Sequence, residues 1–514
     1  MIARIRSAAA IAAFVAAASL LSMSVCVAAG GDRIFDIVAP FEIGDADPSL
    51  FGFVFQRMEV GETLLEVAPD GQPRPGLATS WDISRDGLTW TLPIRDGVRF
   101  HDGSRLTAAL AAASLERARA RSGALNRAGI RSIRAESGAV VIRLERSFAP
   151  LWSLLAHYST IVVAPSSFAA NGAVRDIVGT GPYRVTRMDV PRRLEVEAFA
   201  DYWGDKPAIG AATYLAASPG EARTRMVESG EADMAFTLDP TSIARLRATG
   251  SATVLQAPSP RVLQIKVNAA VAPFDTRAGR TALSQAIQRE GITRAIIRVP
   301  GTSATQLFPP SLAAWYDPRL PPLTTDPDAA KAGFAQLGWV AGDDGILQKD
   351  GKPMRLTLLT YADRPELPLV ASVIGDQLRQ IGVSVDVVVT DAAAIPAGHA
   401  DGTLRLALVT RNYALFPDPL VTLLGDFASG GSDWGPMNWV DPEFETAMSS
   451  LSVATDPVEA ARLRRDITGV LQRELPVVPV AWYEQAIAVT KSVDGAVVDP
   501  LERTFGLSRM KWTF

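Results

Sequence analysis

The chain is 514 residues long, 48% hydrophobic and 21% charged, with a formal net charge of -4. That length makes about three domains' worth of ordinary soluble protein, and the acidic balance argues against a nucleic-acid partner. A single cysteine, Cys26, excludes an intramolecular disulfide and any cysteine-based zinc or iron–sulfur site, and the three histidines lie far apart, at His101, His157 and His399.

The first element is an address. Arg4 and Arg6 precede an uncharged, Ala/Ser-rich run from Ala8 to Val25, and Val27-Ala28-Ala29 suits signal peptidase. Residues 1–29 are therefore expected to be a signal peptide that exports the protein to the periplasm. Lipidation of Cys26 is the weaker alternative, because Val25 stands where a lipobox wants a small residue.

Residues 34–39 (IFDIVA) read as a first strand. Asp86-Gly87, Asp96-Gly97 and Asp102-Gly103 place three turns among short strands and predict an antiparallel patch. Leu106–Ala120 reads as a helix capped by Thr107. Val140–Leu144, Ile161–Ala164 and Tyr183–Thr186 read as strands, the last following the tight loop Gly179-Thr180-Gly181-Pro182. That loop has neither the third fingerprint glycine nor, at Pro182, the backbone donor a phosphate cradle needs.

From about residue 210 strands and helices alternate. Helices are expected at Glu221–Ser229, Thr241–Thr249, Arg277–Arg298 with Gly291 as its break point, Asp328–Leu337 and Pro457–Glu474, with strands at Leu263–Asn268 and Leu404–Val409. Arg355–Thr360, Glu366–Ile381 and the valine-rich Val383–Val389 form a strand–helix–strand unit of the kind that builds a parallel sheet. Proline crowds residues 300–327, which read as a long surface loop.

Residues 75–108, PGLATSWDISRDGLTWTLPIRDGVRFHDGSRLTA, resemble the signature of the family 5 extracellular solute-binding proteins, the peptide-, nickel- and opine-binding receptors of ABC importers. Val178–Tyr183 is similar to the family's GTGPY loop. Tyr202–Pro207, Gly230–Asp233, Pro273-Phe274-Asp275, Gln377–Gly382, Pro417-Asp418-Pro419 and Leu475–Pro479 extend the resemblance along the chain. The resemblance implies an α/β fold of the periplasmic binding protein type II kind: two α/β lobes joined by a hinge, with an extra β-rich domain inserted in the first lobe. The expected divisions are 30–68 and 181–265 for the first lobe, 69–180 for the β-rich insertion, 266–489 for the second lobe, and 490–514 for a return to the first. It also implies a monomer without catalytic residues, cofactor or resident metal that captures a small molecule or peptide and docks on the importer's permease subunits. A sensing receptor of the same fold is the alternative. A secreted hydrolase is a more distant one, with no GxSxG to support it.

The resemblance leaves the solute open between a short peptide, an opine-like compound and chelated nickel. Peptide-binding members carry an amine-pairing aspartate three residues before the Asp-Pro pair, where this chain has Leu415. Nickel-type members lack that aspartate too, but no histidine stands in the 430s here. The cleft candidates are Phe51, Arg411, Asn412, Tyr413, Phe416, Trp434 and Trp439, with Arg411 as a carboxylate-binding arginine and the aromatic residues as walls; a surface or interlobe salt bridge for Arg411 and a place in the core for Trp434 and Trp439 are the alternatives.

Overall fold

The computed structural model describes residues 33–513 apart from Ser122, Asp363, Gly430 and Gly431. The expected signal segment and Cys26 lie outside the described residues. The architecture centres on a ten-stranded mixed sheet. Its strands, in chain order, are β1 (Ile34–Ala39), β2 (Tyr183–Asp189), β3 (Arg193–Ala198), β4 (Ala211–Ala216), β5 (Met234–Phe236), β6 (Thr253–Val267), β7 (Arg355–Tyr361), β8 (Ser384–Thr390), β9 (Leu406–Asn412) and β10 (Val477–Val489). Across the sheet they run β8-β7-β9-β6-β10-β5-β1-β4-β3-β2.

The two longest strands hold the molecule together. One half of β6, Thr253–Pro258, pairs antiparallel with Val489–Glu484 of β10, and the other half, Val262–Lys266, pairs with Trp482–Val477. The register slips between Pro258 and Val262. Pro258 and Pro260 have no N–H to give the ladder, so pairing lapses there. On one side of the lapse β10 pairs with β5, and β5 with β1. On the other side β6 pairs with β9, and β9 with β7. Separate apolar clusters lie under the two halves. One is built on Phe35, Ile37, Phe55 and Tyr214, and another on Leu283, Phe334, Leu358 and Val409.

The β-rich patch forms as expected. Asp82–Ile83, Thr89–Pro93, Ala139–Leu144 and Ile130–Glu136 make a four-stranded antiparallel sheet in that spatial order. It shares a core with the helix Ala108–Arg119, whose first turn is capped by Thr107 accepting from Leu110 N at 3.3 Å. The three Asp-Gly glycines have φ of 71°, 79° and 84°, the left-handed region these turns require. The strand–helix–strand unit at 355–390 is also present, with β7 and β8 parallel.

Besides β6, which begins ten residues before its expected start, two elements differ from expectation. The helix from Arg277 stops at Ala286, and a second short helix starts at Arg289. Arg289 is buried and donates to Pro479 O at 2.8 Å and to Ser284 O at 2.9 Å, which ties the break down with tertiary contacts. Ile161–Ala164 is extended and buried but lies in no strand ladder. Val162 N donates to Glu62 O, Val163 N to Ser114 Oγ and Ala164 N to Val178 O. The Gly179–Gly181 loop is a packing device. A Cβ at Gly179 would lie 2.3 Å from Val60 O, and one at Gly181 would lie 2.1 Å from Glu59 O, so only glycine lets the two backbones touch.

Candidate functional site

The lapse in pairing leaves Arg261 beside the crossing strands, facing a carboxylate from the C-terminal segment. Asp499 organises a turn there by accepting from Leu501 N, Arg503 N and Thr504 N at 3.0, 2.6 and 3.1 Å. Within it Glu502 is held at φ 57°. Its carboxylate, 5% exposed, accepts from Arg261 Nη2 at 3.0 and 3.4 Å and from Ser259 Oγ at 3.3 Å. Arg57, at the end of the helix Phe53–Arg57, donates Nε to Glu502 O at 2.7 Å, and its Nη2 lies 3.7 Å from the carboxylate. Burial alone would raise the Glu502 pKa, but the guanidiniums of Arg261, Arg364 and Arg57 outweigh it and hold the group at about 2.

The second half of the sheet contributes Arg364 and Glu366. They follow β7 and open the helix Glu366–Gln380, where a carboxylate suits the positive end of the helix dipole. Arg364 Nη1 donates to Tyr483 OH at 3.0 Å, with its guanidinium 5.0 Å from that ring's centre. Burial would lower the Arg364 pKa, but Tyr483, Glu366 and Glu502 together raise it, while burial pushes the Glu366 carboxyl up and Arg364 opposes it. Among the described residues, two polar atoms of this cluster are buried with no hydrogen-bond partner: Arg261 Nε and Glu366 Oε1.

An aromatic wall runs from these charges toward the second lobe. The Arg57 guanidinium lies 4.4 Å from the Phe41 ring centre. Phe41 meets Phe53 at 5.9 Å, Phe53 meets Tyr158 at 6.1 Å and Tyr158 meets His157 at 3.9 Å. His157 then stacks on Phe416 at 4.4 Å.

The seven residues singled out from sequence do not converge on one place. Tyr413 and Trp439 sit in one apolar cluster, 0% and 6% exposed, with the Tyr413 hydroxyl donating to Gln264 Oε1 at 2.9 Å. Arg411 is engaged by Asp426, with Nη2 donating to Oδ1 at 2.7 Å. Asn412 accepts from Ala414 N at 2.9 Å and shapes the turn after β9. Phe51 lies on the surface, 36% exposed. Phe416 joins the aromatic wall, and half-buried Trp434 meets Tyr361 edge-on at 6.2 Å, beside the Arg364 segment.

The charged cluster escaped sequence reading because its members stretch from Arg57 to Glu502 with no common spacing. Two local cues existed: Arg261 next to a proline pair, and Arg364-Pro365-Glu366 just before an amphipathic helix. His101 is a turn histidine. Its Nε2 lies 3.0 Å from Gly181 O, and burial pushes it down to about 4. Among the described residues, no group of three or more His, Cys, Asp or Glu side chains is arranged to hold a metal ion.

Two lobes that share crossing strands, with opposed charges from each lobe meeting at the crossing, define a hinged solute-binding protein. Residues 72–434 match the model of the bacterial extracellular solute-binding proteins, family 5. The chain belongs to that family, whose members serve ABC importers as substrate-binding proteins. It is 28% identical over 509 residues to the glutathione-binding protein GsiB of Salmonella typhimurium, covering 94% of this chain and 93% of that one. The Escherichia coli O157:H7 protein of the same name is 26% identical over 513 residues, covering 95% and 94%. Among solved structures, NikA from Brucella suis in complex with Fe(III)-EDTA superposes with a TM-score of 0.85 at 22% identity, covering 94% of this chain and 100% of that one. A dipeptide-binding protein from Pseudoalteromonas in complex with Met-Leu gives 0.78 at 20% identity, with the same coverage. These likenesses confirm the type II binding-protein fold. No helix among the described residues is long and apolar enough to cross a membrane.

Proposed function

We propose that this substrate-binding protein works in the periplasm after loss of its N-terminal signal. There it closes on a small amino-acid-like or peptide-like solute and presents it to the importer's permease. The carboxylate of the solute lies against Arg261 and Arg364, its ammonium against Glu366, and its body against the Phe41–Phe416 wall and Trp434. The observation that carries this reading is a pair of buried atoms without a partner among the described residues, a guanidinium N–H at Arg261 and a carboxylate oxygen at Glu366. Each such atom costs about 1–3 kcal/mol when left unmade. A zwitterion supplies both partners, and it joins charges from the two lobes only when they are closed.

Titration calorimetry with reduced glutathione, the dipeptide Met-Leu and Ni(L-His)2 tests the reading. Glutathione or the dipeptide is expected to bind, and R364A and E366Q are each expected to weaken binding by about 30-fold or more. Binding of Ni(L-His)2 alone would move the solute class to a metal chelate. Binding that survives both substitutions would remove the site from the crossing strands.

A further inference from the structure

His157 is 5% exposed and stands where the inserted domain meets the second lobe, stacked at 24° on Phe416. Its two nitrogens are not equivalent. Ser159 N donates to Nδ1 at 3.2 Å, and Ser159 Oγ lies 2.9 Å from the same atom. A backbone N–H can only donate, so Nδ1 is an acceptor and the proton of the neutral ring sits on Nε2. Burial, with Arg503 and Arg127 nearby, pushes the His157 pKa down to about 3, so the ring is neutral across the physiological range. Nε2 is nevertheless buried without a partner among the described residues. It is a fixed N–H donor on the aromatic wall that starts at Arg57, beside Arg503 of the Glu502 turn, whose Nη2 donates to Ala156 O at 2.6 Å.

We infer that His157 Nε2–H forms a second ligand subsite, donating to an acceptor oxygen of the bound solute on the side of the aromatic wall that meets Phe416. This rests on the proposed reading and narrows it. The solute is a zwitterion that carries a further carbonyl or carboxylate oxygen, as an amide-linked amino acid does, rather than a bare amino acid. The same geometry argues against His157 as a metal ligand. Metal coordination needs a lone pair on Nε2, and the Ser159 N–H already holds the imidazole in the tautomer that has none.

Two substitutions separate the donor from the ring. H157F keeps an aromatic face on Phe416 and loses Nε2–H. H157N keeps a side-chain acceptor for Ser159 N and loses both the ring and the reach of Nε2. With reduced glutathione as the probe, both variants are expected to bind about tenfold or more weakly than wild type. In wild-type protein labelled with 15N-histidine, the Nε2–H signal is expected to shift on saturation with glutathione and to stay protonated from pH 5 to 8. A ring that only packs would not show that shift. If wild type binds glutathione while the Nε2–H signal is unmoved, or while both variants match wild type, the subsite falls and the wider reading stands. If wild type binds no glutathione, both fall together.

Discussion

Replacing Glu502 by glutamine probes the crossing most directly, because three guanidiniums converge on this one carboxylate. Its pKa is held near 2, against 4.5 for an ordinary glutamate, which corresponds to about 3 kcal/mol of linkage between ionisation and folding. Leaving Arg57 and Arg261 without their counter-charge gives a similar figure, about 3–5 kcal/mol for a broken buried pair. The folded-state pKa is depressed. The stabilisation is therefore fully present above about pH 4.5 and is lost as pH falls toward 2. Urea unfolding followed by both tryptophan fluorescence and circular dichroism, at steps from pH 7 to pH 2.5, is the assay. E502Q is expected to be about 3 kcal/mol less stable than wild type at pH 7, with the gap narrowing steadily below pH 4.5. A gap under about 1 kcal/mol at pH 7, or one that does not change with pH, would refute the argument that Glu502 is the ionised centre of the crossing.

Glu62 provides the opposite pH signature. It accepts from Thr180 Oγ1 at 2.7 Å, Trp203 Nε1 at 3.0 Å and Tyr202 OH at 3.2 Å, yet burial pushes it up to about 7. Wild type is thus expected to lose stability as pH rises from 4.5 to 7, and E62Q is expected to abolish that slope in urea titrations. Lys266, 0% exposed, donates to Ser432 O at 2.6 Å, Gly435 O at 2.7 Å and Asp433 O at 3.3 Å, with His399 Nδ1 at 2.8 Å. K266M leaves those carbonyls without a donor. It is expected to cost about 1–3 kcal/mol and to red-shift the emission of Trp434, measured against W434F as the background.

The sequence told most where one element reports on itself. The unit from Arg355 to Thr390 was legible because an apolar strand, an amphipathic helix and a glycine stop repeat their signals locally, and Pro457–Glu474 formed at the expected bounds. The length of β6 was not legible. The segment Thr253–Pro258 is mostly half-exposed, and Pro258 and Pro260 read as strand-breakers, so only the apolar end from Leu263 stood out. Glycine-based signals told half the story: Gly179 and Gly181 announced a tight loop, but the reason is the backbone of residues 59–61 passing against them. The candidate site was hardest of all. Arg411 could be read as a carboxylate anchor or as one half of a salt bridge, and nothing in its neighbourhood names Asp426, one helix later, as the partner that engages it. Arg364 gave no hint that its partner is Tyr483, on a strand 119 positions away.

On the proposed reading, closure and solute charge are coupled. The inserted domain meets the second lobe through an apolar cluster that takes in Ala414, Phe416 and Val421, and through smaller contacts. Ser153 Oγ accepts from Asp418 N at 3.0 Å, Ala149 N donates to Ser452 O at 2.8 Å, and His157 stacks on Phe416. These smaller contacts are worth about 1 kcal/mol each, and the buried apolar side chains add to them. Arg57 and Arg261 share Glu502, and Arg364 acts on the same carboxylate. Burial pushes the Glu366 carboxyl up while Arg364 and Arg261 oppose it, and Glu366 and Glu502 in turn favour the charged form of Arg364. On the proposed reading, the solute's carboxylate and ammonium join this network from both lobes, so the groups that recognise the solute would also favour the closed state.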